Sequence, residues 1–216
     1  MIDNMAFETA RKIRDYMLSK RLKKLDLNKF LSSCHYKERI LFNTTPSPDG
    51  ARGMFLLLRK NRFLTDKSKL SNLEKQIFNI LTFDTTLSQI KKNTSFSRLQ
   101  DKFEEYTKKI LIKNFGNRVS SVDQAHMNDY DFKIDNITVE VKSDKWKYTG
   151  NISLELLRDY NKDYDRNVGS IIKTKATFWQ IYYYDIKKDE VSSEVFLTSK
   201  LKEETYKVLF DLEKVL

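Results

Sequence analysis

One cysteine, two prolines and five glycines in 216 residues leave the chain with sparse punctuation and no covalent framework. A lone thiol, Cys34, cannot close an intramolecular disulfide, so stability rests on a packed core, and such cysteine use fits a reducing compartment. Both prolines and two of the glycines fall within NTTPSPDGARG, residues 43–53, which makes this the strongest loop signal in the chain. Long apolar runs are missing too. The longest aliphatic cluster, MFLLL at 54–58, falls far short of the roughly 20 residues that span a bilayer. The opening MIDNMAFETARKIRD lacks the apolar segment of a secretory signal. These absences lead us to expect a cytoplasmic protein without membrane association. No glycine-rich phosphate cradle is present, which argues against an NTPase. The only histidines, His35 and His126, have no metal-ligand spacing.

What is present is charge and aromatic content. A composition 40% hydrophobic and 12% aromatic supports a folded globule. The formal net charge is +10, unevenly placed: residues 1–70 carry 16 Lys/Arg against 7 Asp/Glu, residues 71–216 carry 24 against 23. A basic half attracts polyanions, although a lysine-rich solvated surface accounts for the same count.

Hydrophobic periodicity divides the chain near 96. Residues 1–96 read as a basic, mainly helical region: Ala6, Phe7, Ile13 and Met17 recur at helical spacing, and LDLNKFLSSCHYKERILF is expected to continue the helical material. The stretch SRLQDKFEEYTKKILIKNFG reads as one helix with Leu99, Phe103, Ile110 and Leu111 inward and Gly116 just past its end. The competing reading of TLSQIKKNTSFSRLQ is a helix-turn-helix. From Arg118 the period falls to 2, giving the strand candidates RVSSV, YDFKI, ITVEVKS and NISLELL. ATFWQIYYYD reads as a further strand or helix-to-strand segment, and an amphipathic helix from Thr198 closes the chain. The order is that of an α/β fold.

The segment DYDFKIDNITVEVKSD, residues 129–144, carries the chemistry. A two-residue turn at Asp135-Asn136 sets Phe132 opposite Val139 and Ile134 opposite Ile137 on an apolar face. Asp131 then falls opposite Glu140 on the polar face, and Asp129 opposite Lys142. Like charges directly across a strand pair are unfavourable, unless a hard cation such as Mg²⁺ joins them. Lys142, on the same face, is suited to positioning a water or neutralising charge on a phosphate. Metal, water and lysine make a phosphodiester-hydrolysing site. The alternative is a solvated polar face in which one lysine balances two acids. Acidic-x-Lys recurs at Asp185-Ile186-Lys187 with no function assigned.

Asp131 followed by VEVK, with Glu140 and Lys142, resembles the PD-(D/E)XK nuclease superfamily. The downstream KSDKWKYTGNISLEL and GSIIKTKATFWQIYYY are similar to small phage-type nucleases, and the resemblance covers about 97–190. The proline of the motif is replaced by Tyr130. The resemblance implies a restriction-endonuclease-like mixed central sheet flanked by helices, with the nuclease core over 97–216. It implies Asp131 and Glu140 as metal ligands, Val141 in the same ligand set, Lys142 as the catalytic lysine and Mg²⁺ (or Mn²⁺) as cofactor. Glu104, Asp129 and Glu155 are further acidic candidates, Glu155 leaning to a surface role. Lys173 and Lys175 are candidate phosphate contacts flanking Thr174, read as a helix N-cap. The expected activity is metal-dependent DNA cleavage in a host cell if the gene is a phage's, and a homodimer would suit cutting both strands. Two alternatives stand beside it: a non-catalytic DNA-binding protein reading through residues 72–99, and a nuclease of the same kind acting on RNA or branched junctions.

Overall fold

The computed structural model describes residues 1–43, 53–95, 98–121, 129–145, 149–158 and 168–216. Most of the proline-bearing loop and His126 lie outside the described residues. The first half of the chain runs α1 (Ile2–Ser19), β1 (Lys24–Asp26), β2 (Arg39–Asn43), β3 (Gly53–Arg59), α2 (Asn72–Leu81), β4 (Phe83–Thr85), α3 (Leu87–Lys92) and α4 (Leu99–Phe115). Then follow β5 (Val119–Ser121), β6 (Phe132–Ile134), β7 (Ile137–Asp144), β8 (Asn151–Arg158), α5 (Ser170–Lys173), β9 (Phe178–Asp185), β10 (Glu190–Leu197) and α6 (Thr198–Glu213). The architecture is mixed α/β. No helix among the described residues is long and apolar enough to cross a membrane.

Two compact units emerge, and they cut across chain order. One comprises Met1–Phe63, Gly150–Lys173 and Ser199–Leu216; the other comprises Leu64–Thr149 and Thr174–Thr198.

The first unit is built on an antiparallel sheet in the order β1-β2-β3-β8. Helix α1 is as expected, burying Ala6, Phe7, Ala10, Ile13 and Met17. The segment after it is not helical. Leu25 and Leu27 are buried at a two-residue period, and Ile40 and Phe42 alternate with Arg39 and Leu41. That is a strand pattern, and with MFLLL in β3 it adds strands β1 to β3 to the helices of the N-terminal region. NISLELL, read as a strand of the core over 97–216, pairs with β3 as β8. Glu155 was expected to lean to the surface, but a register shift between Met54 and Phe55 accompanies its burial, with Leu154, Leu156 and Leu157 buried around it. Its carboxylate pairs with Arg158 at 3.0 Å and accepts the Ser170 amide at 3.1 Å. Gly169 precedes α5 where a Cβ would stand 2.1 Å from the Glu155 carbonyl oxygen, so only glycine lets these backbones meet. At the other end of the chain, α6 is tied to α1 by the Tyr206 hydroxyl on Asp3 (2.5 Å), Lys202 on Asp3 (3.1 Å) and Thr9 on Glu213 (2.6 Å).

The second unit holds a mixed six-stranded sheet in the order β4-β10-β9-β7-β6-β5, in which β7 and β9 are parallel and the remaining pairs antiparallel. One face, including Ile134, Val139, Val141, Phe178 and Tyr182, shares a core with Ile77, Leu81, Ile90, Phe103 and Leu111 of α2, α3 and α4. Helix α4 ends at Phe115, and Gly116 follows with φ +57°. Both match the reading of that stretch as a single helix. Each large side chain buried here contributes about 1.5–3 kcal/mol. Polar groups in this core are matched: the Tyr182 hydroxyl lies 2.8 Å from Thr107 Oγ1, which donates to Gln180 Oε1 at 3.0 Å. The Gln180 amide donates to Ser193 Oγ at 2.8 Å, and Ser193 donates to the Leu81 carbonyl at 2.6 Å. With Tyr182 as donor to Thr107 the chain is satisfied at every step, and it fixes the rotation of α4 on the sheet. Tyr182 and Tyr184 both lie against Phe103, at 4.5 and 5.6 Å between ring centroids, so the YYY run packs rather than stacks on a ligand.

Candidate active site

The hairpin has the register read from its sequence: Phe132 pairs with Val139, Lys133 with Thr138 and Ile134 with Ile137 around Asp135-Asn136. Asp135 takes φ +51°, a conformation Asp tolerates, and Arg118 binds its carboxylate. One detail departs from expectation. The ladder stops at Phe132, and the Asp131 amide donates to the Val139 carbonyl at 2.9 Å, so Asp131 is not a ladder partner of Glu140. Strand β7 therefore outlasts β6, while β9 still supports it from Val139 to Asp144.

Beyond the end of β6, side chains replace the missing strand at Val141. The Val141 amide donates to Asp131 Oδ2 at 2.6 Å, and the Val141 carbonyl accepts from Gln100 Nε2 at 3.0 Å. Gln100 also donates to Glu104 Oε1 at 2.8 Å, one turn along α4. Because Phe103, Thr107 and Leu111 face the core, Gln100 and Glu104 are carried on the flank of α4 next to β7. The adjacent residues of β7, Glu140 and Lys142, form an ion pair, and the Lys142 ammonium lies 5.8 Å from the centre of the Trp179 ring.

Three carboxylates from three segments thus share one cation. Glu140 is 7% exposed. Burial pushes its carboxyl up to about 6; the charges of Asp131 and Glu104 push the same way, and Lys142 opposes them. Burial also raises Asp131, against Lys142 and the Val141 amide. Glu104 is raised by burial and by Asp131, against Gln100 and Lys142. Glu104 and Asp131 open onto a cleft of about 760 Å³ along α4.

Glu104, Asp131, Glu140, Val141 and Lys142 are brought together; the other candidates are not. Asp129 pairs with Lys175 at 3.1 Å, and its carbonyl accepts from the Lys175 amide and the Thr174 hydroxyl. Glu155 and Lys173 belong to the four-stranded unit. Thr174 follows α5 rather than capping it, because the helix is only the four residues Ser170–Lys173. The second acidic-x-Lys spelling is a turn, in which Asp185 accepts the amides of Lys187 and Lys188. Sequence reasoning missed Gln100, whose signal was its four-residue spacing from Glu104, and Trp179.

The donors here are all oxygens, the set a hard cation takes. Among the described residues, no three His, Cys, Asp or Glu side chains are arranged so as to hold a metal ion. No family model, curated protein or solved structure matches the chain.

Proposed function

We propose that the protein is a metal-dependent phosphodiesterase acting on DNA, with its site on β7 just beyond the end of β6. The observation that carries this reading is the excess of buried carboxylate beside one ion-paired lysine: burial raises Glu104, Asp131 and Glu140, Asp131 and Glu104 push Glu140 further up, Asp131 does the same to Glu104, and Lys142 opposes all three with the Val141 amide at Asp131 and Gln100 at Glu104. A cluster so poised gains from a further cation. The resemblance of the hairpin to PD-(D/E)XK nucleases supports the same assignment.

Asp131 and Glu140, with the Val141 carbonyl, would hold Mg²⁺ or Mn²⁺, which supplies charge neutralisation at a phosphate and an acidified water. Asp131 keeps its carboxylate in place through the Val141 amide. Gln100 steers both the Val141 carbonyl and Glu104. Lys142, held between Glu140 and the Trp179 ring, presents an ammonium to the phosphate or to the attacking water. In the reaction a bond forms from water oxygen to phosphorus, the bond from phosphorus to the leaving sugar oxygen breaks, and that oxygen takes up a proton.

The test is cleavage of supercoiled plasmid, linear duplex, single-stranded DNA and RNA with Mg²⁺, Mn²⁺ or EDTA, wild type beside Glu140→Gln. Metal-dependent cutting lost in the variant is the expected result. Wild-type protein that cuts nothing while retaining DNA binding would sink the proposal in favour of a binding protein.

A further inference from the structure

Glu140 has two demands on one carboxylate. It pairs with Lys142, and in the proposed function it also ligates the cation. A carboxylate engaged by a divalent ion has little attraction left for an ammonium, and the ion itself repels the ammonium. Whatever then keeps Lys142 at the site must not be another anion, because an anion would compete for the ion. The side chain next to this pair is aromatic. Trp179 of β9 stands beside Glu140 in the parallel register, and alternation turns it to the same face as Glu140 and Lys142. The Lys142 ammonium lies 5.8 Å from the centre of its ring, within reach of a cation–π contact.

Packing alone does not account for a tryptophan here. Trp179 is 1% exposed, and its indole Nε1–H is buried with no acceptor among the described residues. A buried tryptophan ordinarily finds one, and an orphaned donor costs its desolvation. A phenylalanine would fill an apolar site without leaving a donor unpaired. What the indole adds is the ring face that attracts a cation most strongly. That face is neutral, so it takes no ligand from the ion and leaves the ammonium its N–H groups for phosphate or water. We infer that Trp179 is a positioning residue for Lys142, its ring face keeping the ammonium at the site when Glu140 is engaged by a cation. The inference rests on the phosphodiesterase reading for what the ammonium acts on, and on Trp179 and Lys142 alone for the hold.

The chain has two tryptophans, so the full chain carrying Trp146→Phe takes up fluorinated tryptophan at position 179 alone. Fluorine is close to hydrogen in size but draws electron density from the ring face. Successive fluorines therefore weaken a cation–π contact with little change in shape. The first measurement is the fluorine resonance of singly fluorinated Trp179, recorded in EDTA and in Mg²⁺. Lys142→Met is expected to move it in both buffers, and Lys187→Met, on the turn between β9 and β10, to leave it in place. The second measurement is cleavage with Mg²⁺, whose rate is expected to fall stepwise along the series, to about one fifth on the fully fluorinated ring, while Mn²⁺ affinity is unchanged. A merely structural tryptophan would let the unfolding midpoint move and leave the rate of the folded protein flat. A resonance in Mg²⁺ indifferent to Lys142→Met, or a flat series in a protein that cuts, overturns the inference. The two proposals fail separately. A chain that never cuts, but whose resonance depends on Lys142 in both buffers, supports the hold and defeats the phosphodiesterase. Metal-dependent cutting with a flat series and an unmoved resonance does the reverse.

Discussion

Glu38 in the four-stranded unit and Glu140 in the six-stranded unit are both almost wholly withdrawn from water, at 0% and 7% exposure, yet their carboxyls move in opposite directions. Burial pushes both up. Around Glu38 the push is outweighed by Arg62, which donates through Nε at 2.9 Å and Nη2 at 2.8 Å, and by the amides of Arg59 at 3.1 Å and His35 at 3.2 Å, leaving the group below its ordinary value. Around Glu140 there is one ammonium and two rival carboxylates, and the group stays high. A buried acid surrounded by donors is a structural tie, here joining the turn before β2 to the turn after β3. Glu140 has a single ammonium partner, Lys142, and two carboxylates nearby, too little to offset its burial. The same contrast disposes of Cys34. Burial and the neighbouring Glu38 push its thiol up to about 11, so it remains protonated and unreactive.

The largest effect expected from this contrast is on activity. Asp131→Asn or Glu140→Gln should lower metal-dependent cleavage by at least ~10³-fold, about 4 kcal/mol of barrier, measured as initial rates on whichever substrate the panel identifies. Nearly as large, but in stability, is Glu38→Ala. It removes the nearer of Arg62's two carboxylate partners, leaving Glu204 at 3.5 Å, and should cost about 3 kcal/mol in urea unfolding, while metal affinity of the folded protein is unchanged. If Glu38→Ala abolished metal binding and left stability intact, the two glutamates would have to exchange roles.

Smaller effects sharpen the comparison. Because the folded Glu140 carboxyl titrates near 6, above its ordinary value of 4.5, its ionised form burdens the folded state above pH 6. That burden is relieved as pH falls from 6 toward 4.5. Glu140→Gln in EDTA should therefore be more stable than wild type at pH 8 by on the order of 1–2 kcal/mol. The gain should vanish by about pH 4.5, as read by denaturant midpoints at the two pH values. Glu38, lowered instead, contributes stability above its unfolded value that is lost as pH falls through its folded one. The smallest change is Gln100→Ala, which takes the amide donor from both the Val141 carbonyl and Glu104. It should cost about 1 kcal/mol of stability and about tenfold in cleavage.

Much of the site was legible because its logic is local. A strand period of 2 and the turn at Asp135-Asn136 set the register from Phe132 to Val139 and put Glu140 and Lys142 on one face; Asp131, expected opposite Glu140, instead meets the Val141 amide beyond the end of the ladder. The helix before the sheet was legible for the same reason: Phe103, Leu111 and Gly116 mark its inner face and its end. What failed depended on distant partners. Nothing in NISLELL says that β8 pairs with Gly53–Arg59, and Glu155 reads as a surface acid until Arg158 and the Ser170 amide bury it. Residues 25–42 were read as continuing the helical material because β1 and β2 are short, three and five residues, and their alternation shows only once they are paired. Gln100 was passed over because its role exists only where β7 outlasts β6. Asp129, on the same face of the hairpin as Asp131, was taken by Lys175, a residue 46 positions away.

Calorimetric titration of Mn²⁺ into the wild-type chain, Asp131→Asn, Glu140→Gln and Glu38→Gln tests the central claim most directly. The carboxylate cluster on β7 beyond the end of β6 should bind the ion in the wild type and in Glu38→Gln, and binding should be lost in Asp131→Asn and Glu140→Gln. A wild-type chain that takes up no ion, or a Glu140→Gln chain that binds it as tightly as wild type, would contradict the account.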